Sequence, residues 1–186
     1  MVDKHESVIG RYEYVQYSDP VAAYRSYDPR CPAVAQRVIN LITAQMPDAT
    51  VEHIGSTAIP ECDGKGVVDL MLLYPPGRLA AGRETLDRLG FQRHDRPGAF
   101  SDDRPVRIGT IDHDGETFRL HVHVIAADAP EVVHQRAFRD TLRADPTFVA
   151  EYVARKRAVL AGGVSDSNDY NLGKDDFIKG VIHGQR

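Results

Sequence analysis

The run Val51-Glu52-His53-Ile54-Gly55-Ser56-Thr57-Ala58-Ile59-Pro60, followed by Lys65-Gly66-Val67-Val68-Asp69-Leu70, holds the residues best suited to chemistry. A β-branched stretch that ends in Gly-Ser-Thr predicts a strand turning at once into a helix start. Gly55 permits the tight turn, and Ser56 and Thr57 offer capping oxygens. Free N–H groups at such a start, with the positive end of the helix dipole, suit a phosphate. Asp69, on the next apolar run, is placed to hold Mg²⁺ against that phosphate through hard oxygen ligands. The same residues also make an ordinary strand-to-helix turn beside an ion-paired aspartate, and spacing alone leaves both open.

A second constellation lies further along. Arg119, His121 and His123 alternate with Leu120, Val122 and Val124, which predicts a strand with one polar and one aliphatic face. A His-x-His pair on one strand face can ligate a metal, or it can be a hydrogen-bonded pair on a solvated face. Arg139 and Arg143, four apart, share a face of a predicted helix. His53 is expected to tether a loop by hydrogen bonding. Neither Cys31 nor Cys62 is read as activated by its flanking residues, and both look structural.

The elements that must position these groups are legible from periodicity and turn residues. Pro32 opens an amphipathic helix to about Met46, with Val34, Val38, Leu41, Ile42 and Met46 on one face. Thr50 to Ile54 reads as a first central strand. Residues 66–74 form a second, and its near-continuous apolarity implies cover on both faces. A helix from about Leu79 to Leu89 stops at Gly90, and Phe91 to His94 reads as a short strand. A loop over 95–105 precedes strands Val106 to His113 and Glu116 to Ile125, which flank the hairpin signal Asp114-Gly115. Three helices close the chain at about 129–143, 147–161 and 174–183, with a flexible link over 162–168 before the last. Residues 1–16 read as an arm or edge segment, and 17–186 as a single domain.

Bulk properties narrow the function classes. The 186 residues are 42% hydrophobic and 27% charged, ordinary values for a globular domain with a sizeable core. A net charge of −4 argues against a general nucleic-acid surface and still permits a local basic pocket. The first residues lack an apolar leader core, and no run reaches membrane-spanning length. Two isolated cysteines without a secretion signal fit free thiols in a reducing cytoplasm.

The segment Glu52 to Pro60 resembles the signature of the GrpB family, whose fold is that of the nucleotidyltransferase superfamily. His121-Val122-His123-Val124 is similar to the family's His-x-His strand, and Phe138-Arg139-Asp140-Thr141-Leu142-Arg143-Ala144-Asp145-Pro146 to its Phe-Arg-Asp-x-Leu-Arg-x-x-Pro stretch. Tyr152, Lys156, Tyr170, Lys174 and Phe177-Ile178 follow the order of its closing helices. The resemblance implies a mixed α/β domain, a small twisted sheet flanked by helices. It also implies nucleotide binding, with nucleotidyl transfer to a small-molecule acceptor, through an Asp-x-Asp or Asp-x-Glu pair, a third acid and two metals. Here Asp69 takes the first position and Met71 the second, while His121 or His123 stands for the third acid. One carboxylate and one or two histidines would then hold a single ion, Mg²⁺, Mn²⁺ or Zn²⁺. By the same resemblance Gly55, Ser56 and Thr57 cradle the phosphates and Lys65, Arg139, Lys156 and Lys174 neutralise them. Tyr170 would stack on the base or bond a phosphate, and His121 would act as ligand or base. Met71 also admits a silent nucleotide-binding domain or an accessory factor in a small-molecule pathway.

Overall fold

The computed structural model describes residues 8–12, 23–94, 103–163 and 167–182. The expected loop over 95–105 and the N-terminal segment therefore lie largely outside the described residues. Among the described residues, strands β1 (Thr50–Ile54), β2 (Val67–Tyr74), β3 (Gln92–Arg93), β4 (Val106–His113) and β5 (Glu116–Ala126) form one sheet in the order β1-β2-β5-β4-β3. β2 and β5 run parallel, and the other neighbours run antiparallel. The hairpin between β4 and β5 turns through Asp114 and Gly115 with φ of 49° and 78°. Two positive φ values are what a tight two-residue hairpin requires. From the N-terminal segment, Gly10 makes an antiparallel bridge to Thr110 of β4.

Helices α1 (Cys31–Gln45) and α2 (Leu79–Arg88) cover one face of the sheet. Val34, Val38 and Ile42 of α1 pack with Val68, Leu70 and Leu72 of β2 and Leu120, Val122 and Val124 of β5, all fully buried. Strand alternation sends Asp69, Met71 and Leu73, with His121, His123 and Ile125, to the opposite face. Helix α3 (Pro130–Ala144) caps part of that face: Val132 closes over Ile54, Met71, Leu73 and Ile125. Helices α4 (Pro146–Ala161) and α5 (Ser167–Ile182) complete a second core around Phe138, Leu142, Tyr152 and Phe177, which also takes in Ile59 and Cys62. Both cysteines are buried and unbridged. No helix among the described residues is long and apolar enough to cross a membrane.

The last helix differs from the sequence expectation. It begins at Ser167 and not near Lys174, so Tyr170 and Lys174 share a helix at i, i+4. Gly173 disguised the continuity, since glycine in a helix interior costs about 1 kcal/mol against alanine. Packing explains its presence: a Cβ there would lie 2.6 and 2.8 Å from the two methyls of Val159 on α4. Gly173→Ala should lower the melting temperature despite its better helix propensity, because the stiff valine cannot swing aside and overpacking costs about 1–3 kcal/mol. Adding Val159→Ala should recover most of the loss in thermal melts.

His53 ties the irregular link after β1. Thr57 Oγ1 donates to the carbonyl of Val67 at 3.0 Å, so His53 Nε2, 3.0 Å from that oxygen, must be the donor to it. Burial pushes the imidazole down to about 4 from 6.5, and the neighbouring Asp69 offsets only part of this. A folded pKa below the unfolded one means the unfolded chain takes up more protons between those values. Stability from His53 is therefore fully present above about pH 6.5 and lost as pH falls towards 4, by at most about 3 kcal/mol. Urea titrations of wild type and His53→Asn over that range should show a shallower acid loss in the variant.

Candidate functional site

The link between β1 and β2 forms the floor of the site. Gly55 turns the chain with φ of 71°, and a Cβ there would come within 2.6 Å of Asp69 Oδ2. Only glycine allows that carboxylate to lie against the backbone. The expected helix start is a single 3₁₀ turn, Ser56–Ala58, without a side-chain cap. Three residues carry no useful dipole, so the phosphate site predicted from a helix N-terminus is not formed that way. Thr57 is buried, and its hydroxyl is spent on Val67 and His53. Ser56 faces differently: a Cβ on Gly64 would sit 2.7 Å from Ser56 Oγ and 3.5 Å from Lys156 Nζ. Hydroxyl and ammonium thus meet across a glycine.

Asp69 and His121 are register partners on the parallel strands β2 and β5, as their expected common face required. His121 Nδ1 and His123 Nε2 stand 3.6 and 3.8 Å from Asp69 Oδ1. Burial alone would raise the Asp69 carboxyl; the two imidazoles beside it, His123 foremost, outweigh that and hold it below its ordinary value. Burial pushes His121 down to about 4, with Asp69 opposing. At neutral pH the pair is a carboxylate and an uncharged imidazole. His121 Nε2 is buried and has no hydrogen-bond partner among the described residues.

Three lysines converge beside this pair. Lys65 Nζ and Lys174 Nζ lie 4.9 and 4.3 Å from the centre of one ring, Tyr170. Lys156 Nζ sits 4.4 Å from the Tyr152 ring, donates to Cys62 Sγ at 3.3 Å and also bonds the Asp63 carbonyl. Lys174 is pushed down to about 7, first by burial and then by the charges of Lys65 and Lys156, with Asp69 pulling the other way. Tyr170 is only 2% exposed and holds two ammonium groups, so it offers no free face to a base. The partner of Cys62 comes from 94 residues away, which sequence flanks could not show.

Arg139 lies elsewhere. Its guanidinium bonds Glu52 and the His53 carbonyl through Nη1, and Asp140 through Nε and Nη2. Arg136 holds the same Glu52. Arg143 donates to the Ala58 carbonyl at 2.7 Å, and Arg119 to the Lys65 carbonyl. These arginines fasten the link to the helices and sheet. The triphosphate role expected of Arg139 has no support in this placement.

The donor set does not fit the metals that the fold family implies. Met71 shares the Asp69 face yet is fully buried among Ile54, Leu73, Ile125 and Val132. Glu52, its register partner on β1, is taken by two guanidinium groups. No group of three or more His, Cys, Asp or Glu side chains among the described residues is placed to hold an ion, so no metal site is shown at Asp69, His121 and His123.

Sequence inspection missed Tyr12 and His94, whose rings lie 5.7 and 5.9 Å from that of His121. Both contacts are long-range: the Gly10–Thr110 bridge and the bond of Tyr12 N–H to Gln92 Oε1 bring Tyr12 there, and the pairing of β4 with β3 and β5 brings His94. A cavity of about 40 Å³ behind Ser56 and Gly64, lined also by Arg25, Tyr27 and Phe118, has room for little more than water.

Comparison with known proteins places this architecture. The UPF0157 protein PA4798 of Pseudomonas aeruginosa is 32% identical over 74% of this chain and 55% of its own length. The UPF0157 protein SCO7215 of Streptomyces coelicolor is 34% identical over 78% and 72%. A dephospho-CoA kinase of Mycolicibacterium paratuberculosis is 31% identical over 82% of this chain and 43% of that protein. The chain thus spans about half the length of some relatives it matches. Among solved structures, the conserved protein GrpB from Enterococcus faecalis superposes with a TM-score of 0.68 at 22% identity, covering 87% of this chain and 95% of that one. The Cid1 poly(U) polymerase with Mg and 3′-dATP bound gives 0.51 at 13% identity over 82% and 50%, a likeness of fold to the nucleotidyltransferases. The family model described as GrpB protein matches residues 23–183, and with that span the chain belongs to the GrpB family.

Proposed function

We propose that this chain binds a nucleoside triphosphate, with the phosphates on the Asp69 face. The observation that carries this is Ser56 Oγ and Lys156 Nζ meeting beside Gly64, with Lys65 and Lys174 on the Tyr170 ring and the charges of Lys65, Lys156 and Asp69 acting on Lys174. Burial lowers the proton affinity of Lys174 most and the charges of Lys65 and Lys156 add to that, a repulsion that an anion joining them would offset. Gly55 lets the Asp69 carboxylate, and Gly64 the Ser56 hydroxyl, lie against the backbone of the floor. The dephospho-CoA kinase relative, named for a nucleotide-handling reaction, supports the same class of ligand.

Nucleotidyl transfer to a small-molecule acceptor is the second reading, and His121 favours it. Asp69 faces Nδ1 and leaves the unpartnered Nε2 to accept a proton from an acceptor hydroxyl. An imidazole pushed to about 4 is a weak base at neutral pH, so binding stands as the primary function. Assays for pyrophosphate release with a panel of acceptors separate the two readings.

Thermal shift with each of the common NTPs tests the binding itself. A nucleotide at about 100 times its dissociation constant should add about 2.7 kcal/mol. Ser56→Leu fills the space before Gly64 and should abolish the shift with circular dichroism unchanged. An equal shift in the folded variant would remove Ser56 from the phosphate site. No shift with any NTP in wild type would end the nucleotide assignment.

A further inference from the structure

We propose, resting on the transfer reading above, that His121 Nε2 marks a subsite for an uncharged hydroxyl compound on the β4 side of the Asp69 face, with the Tyr12 ring as its gate. His121 Nδ1 faces Asp69 Oδ1 at 3.6 Å. A carboxylate only accepts, so the uncharged ring keeps its proton on Nδ1 and presents the lone pair of Nε2. That atom is buried and has no hydrogen-bond partner among the described residues. A buried acceptor without a donor costs stability, and a ligand that brings the donor recovers it. The surroundings set the class of that ligand. Ile108 and Val106 of β4 stand opposite His121 and His123 in register, both buried, and Tyr12 packs with them. The His94 ring meets His121 edge-on at 5.9 Å. One lone pair among rings and aliphatic groups recognises a single hydroxyl on an uncharged body, since a charged group would lose its hydration there. Asp69 Oδ2 lies against Gly55 while Oδ1 faces His121, so the floor and this subsite lie at the two oxygens of one carboxylate.

Tyr12 closes this end. Its ring centre lies 5.7 Å from that of His121, tilted by 58°, and the residue is buried. The backbone that carries it is fixed. Gly10 and Thr110 exchange both backbone hydrogen bonds, at 2.8 and 3.0 Å, and Tyr12 N–H donates to Gln92 Oε1 at 2.8 Å. A Cβ on Gly10 would lie 2.6 Å from Thr110 Oγ1, so glycine permits the close approach. These bonds hold the main chain and not the ring. Rotation about the Cα–Cβ bond of Tyr12, from one staggered position to another, therefore uncovers Nε2 with the anchor intact.

NMR of the imidazole nitrogens, with phenol, cyclohexanol and anisole as probes, tests both parts. Nε2 of His121 should be the unprotonated nitrogen at neutral pH, and phenol and cyclohexanol should shift it saturably. Anisole, which has nearly the shape of phenol and no donor, should not. With affinities read on the Ile108 methyl resonances, Tyr12→Ala and Tyr12→Leu should each tighten phenol binding several-fold, and Tyr12→Phe should match wild type. His121→Phe should weaken it about fivefold, the worth of one hydrogen bond. A protonated Nε2, or anisole binding as tightly as phenol, overturns the hydroxyl subsite. Phenol binding no tighter in the smaller variants of Tyr12 overturns the gate. Thermal shift with NTPs judges the nucleotide reading separately: a shift with no alcohol response sinks the subsite alone, and an alcohol response with no NTP shift leaves the subsite and removes the nucleotide.

Discussion

The link from Gly55 to Gly66 joins β1 to β2 outside the sheet, and carbonyls along it and at its two ends must find donors. A buried carbonyl left unpaired costs as much as a lost hydrogen bond, and an irregular segment has no ladder to supply partners. This chain meets the need with long side chains from distant elements. Arg139 bonds the carbonyl of His53, Arg143 that of Ala58, Lys156 that of Asp63, Arg119 that of Lys65, and Thr57 that of Val67. Four of these donors are cations. The site is built on a floor fixed from α3, α4 and β5 at once, so the positions of Gly55, Ser56 and Gly64 depend on two helices and a strand far from the link in sequence.

That dependence decides what the sequence could reveal. The strands and the α1 face were legible because each depends on local alternation or helical spacing, and the observed bounds agree within a residue or two. The common face of Asp69, His121 and His123 was legible for the same reason, once the two strands were taken to be adjacent. The roles of Arg139, Arg143 and Lys156 were not. A basic residue that neutralises a phosphate and one that satisfies a carbonyl look alike in sequence, and only the 3₁₀ turn at Ser56, too short to satisfy its own carbonyls, distinguishes them. Tyr170 misled similarly: an aromatic among lysines fits a base-stacking residue as well as a buried platform for two ammonium groups. The long α5 was hidden by Gly173, whose role is set by Val159 on another helix.

The same economy explains the electrostatics. Burying a lone ammonium is costly, and the chain lowers that cost with aromatic faces, a thiol and carbonyls, leaving few carboxylates among them. Lys156 is 1% exposed, and burial pushes its pKa down while Cys62 pulls it up.

Met71 joins these strands of argument. At its register a carboxylate would stand beside Asp69 and face Val132 of α3, forcing that helix away or burying an unpaired charge. The thioether instead lets α3 close on the sheet, and closure brings Arg136 and Arg139 to Glu52 and Arg139 to the His53 carbonyl. The residue that removes a metal donor is thus part of the packing that fixes the floor from one side. The lack of a second carboxylate on this face and the close seating of α3 over β1 and β2 are in this fold two consequences of one side chain.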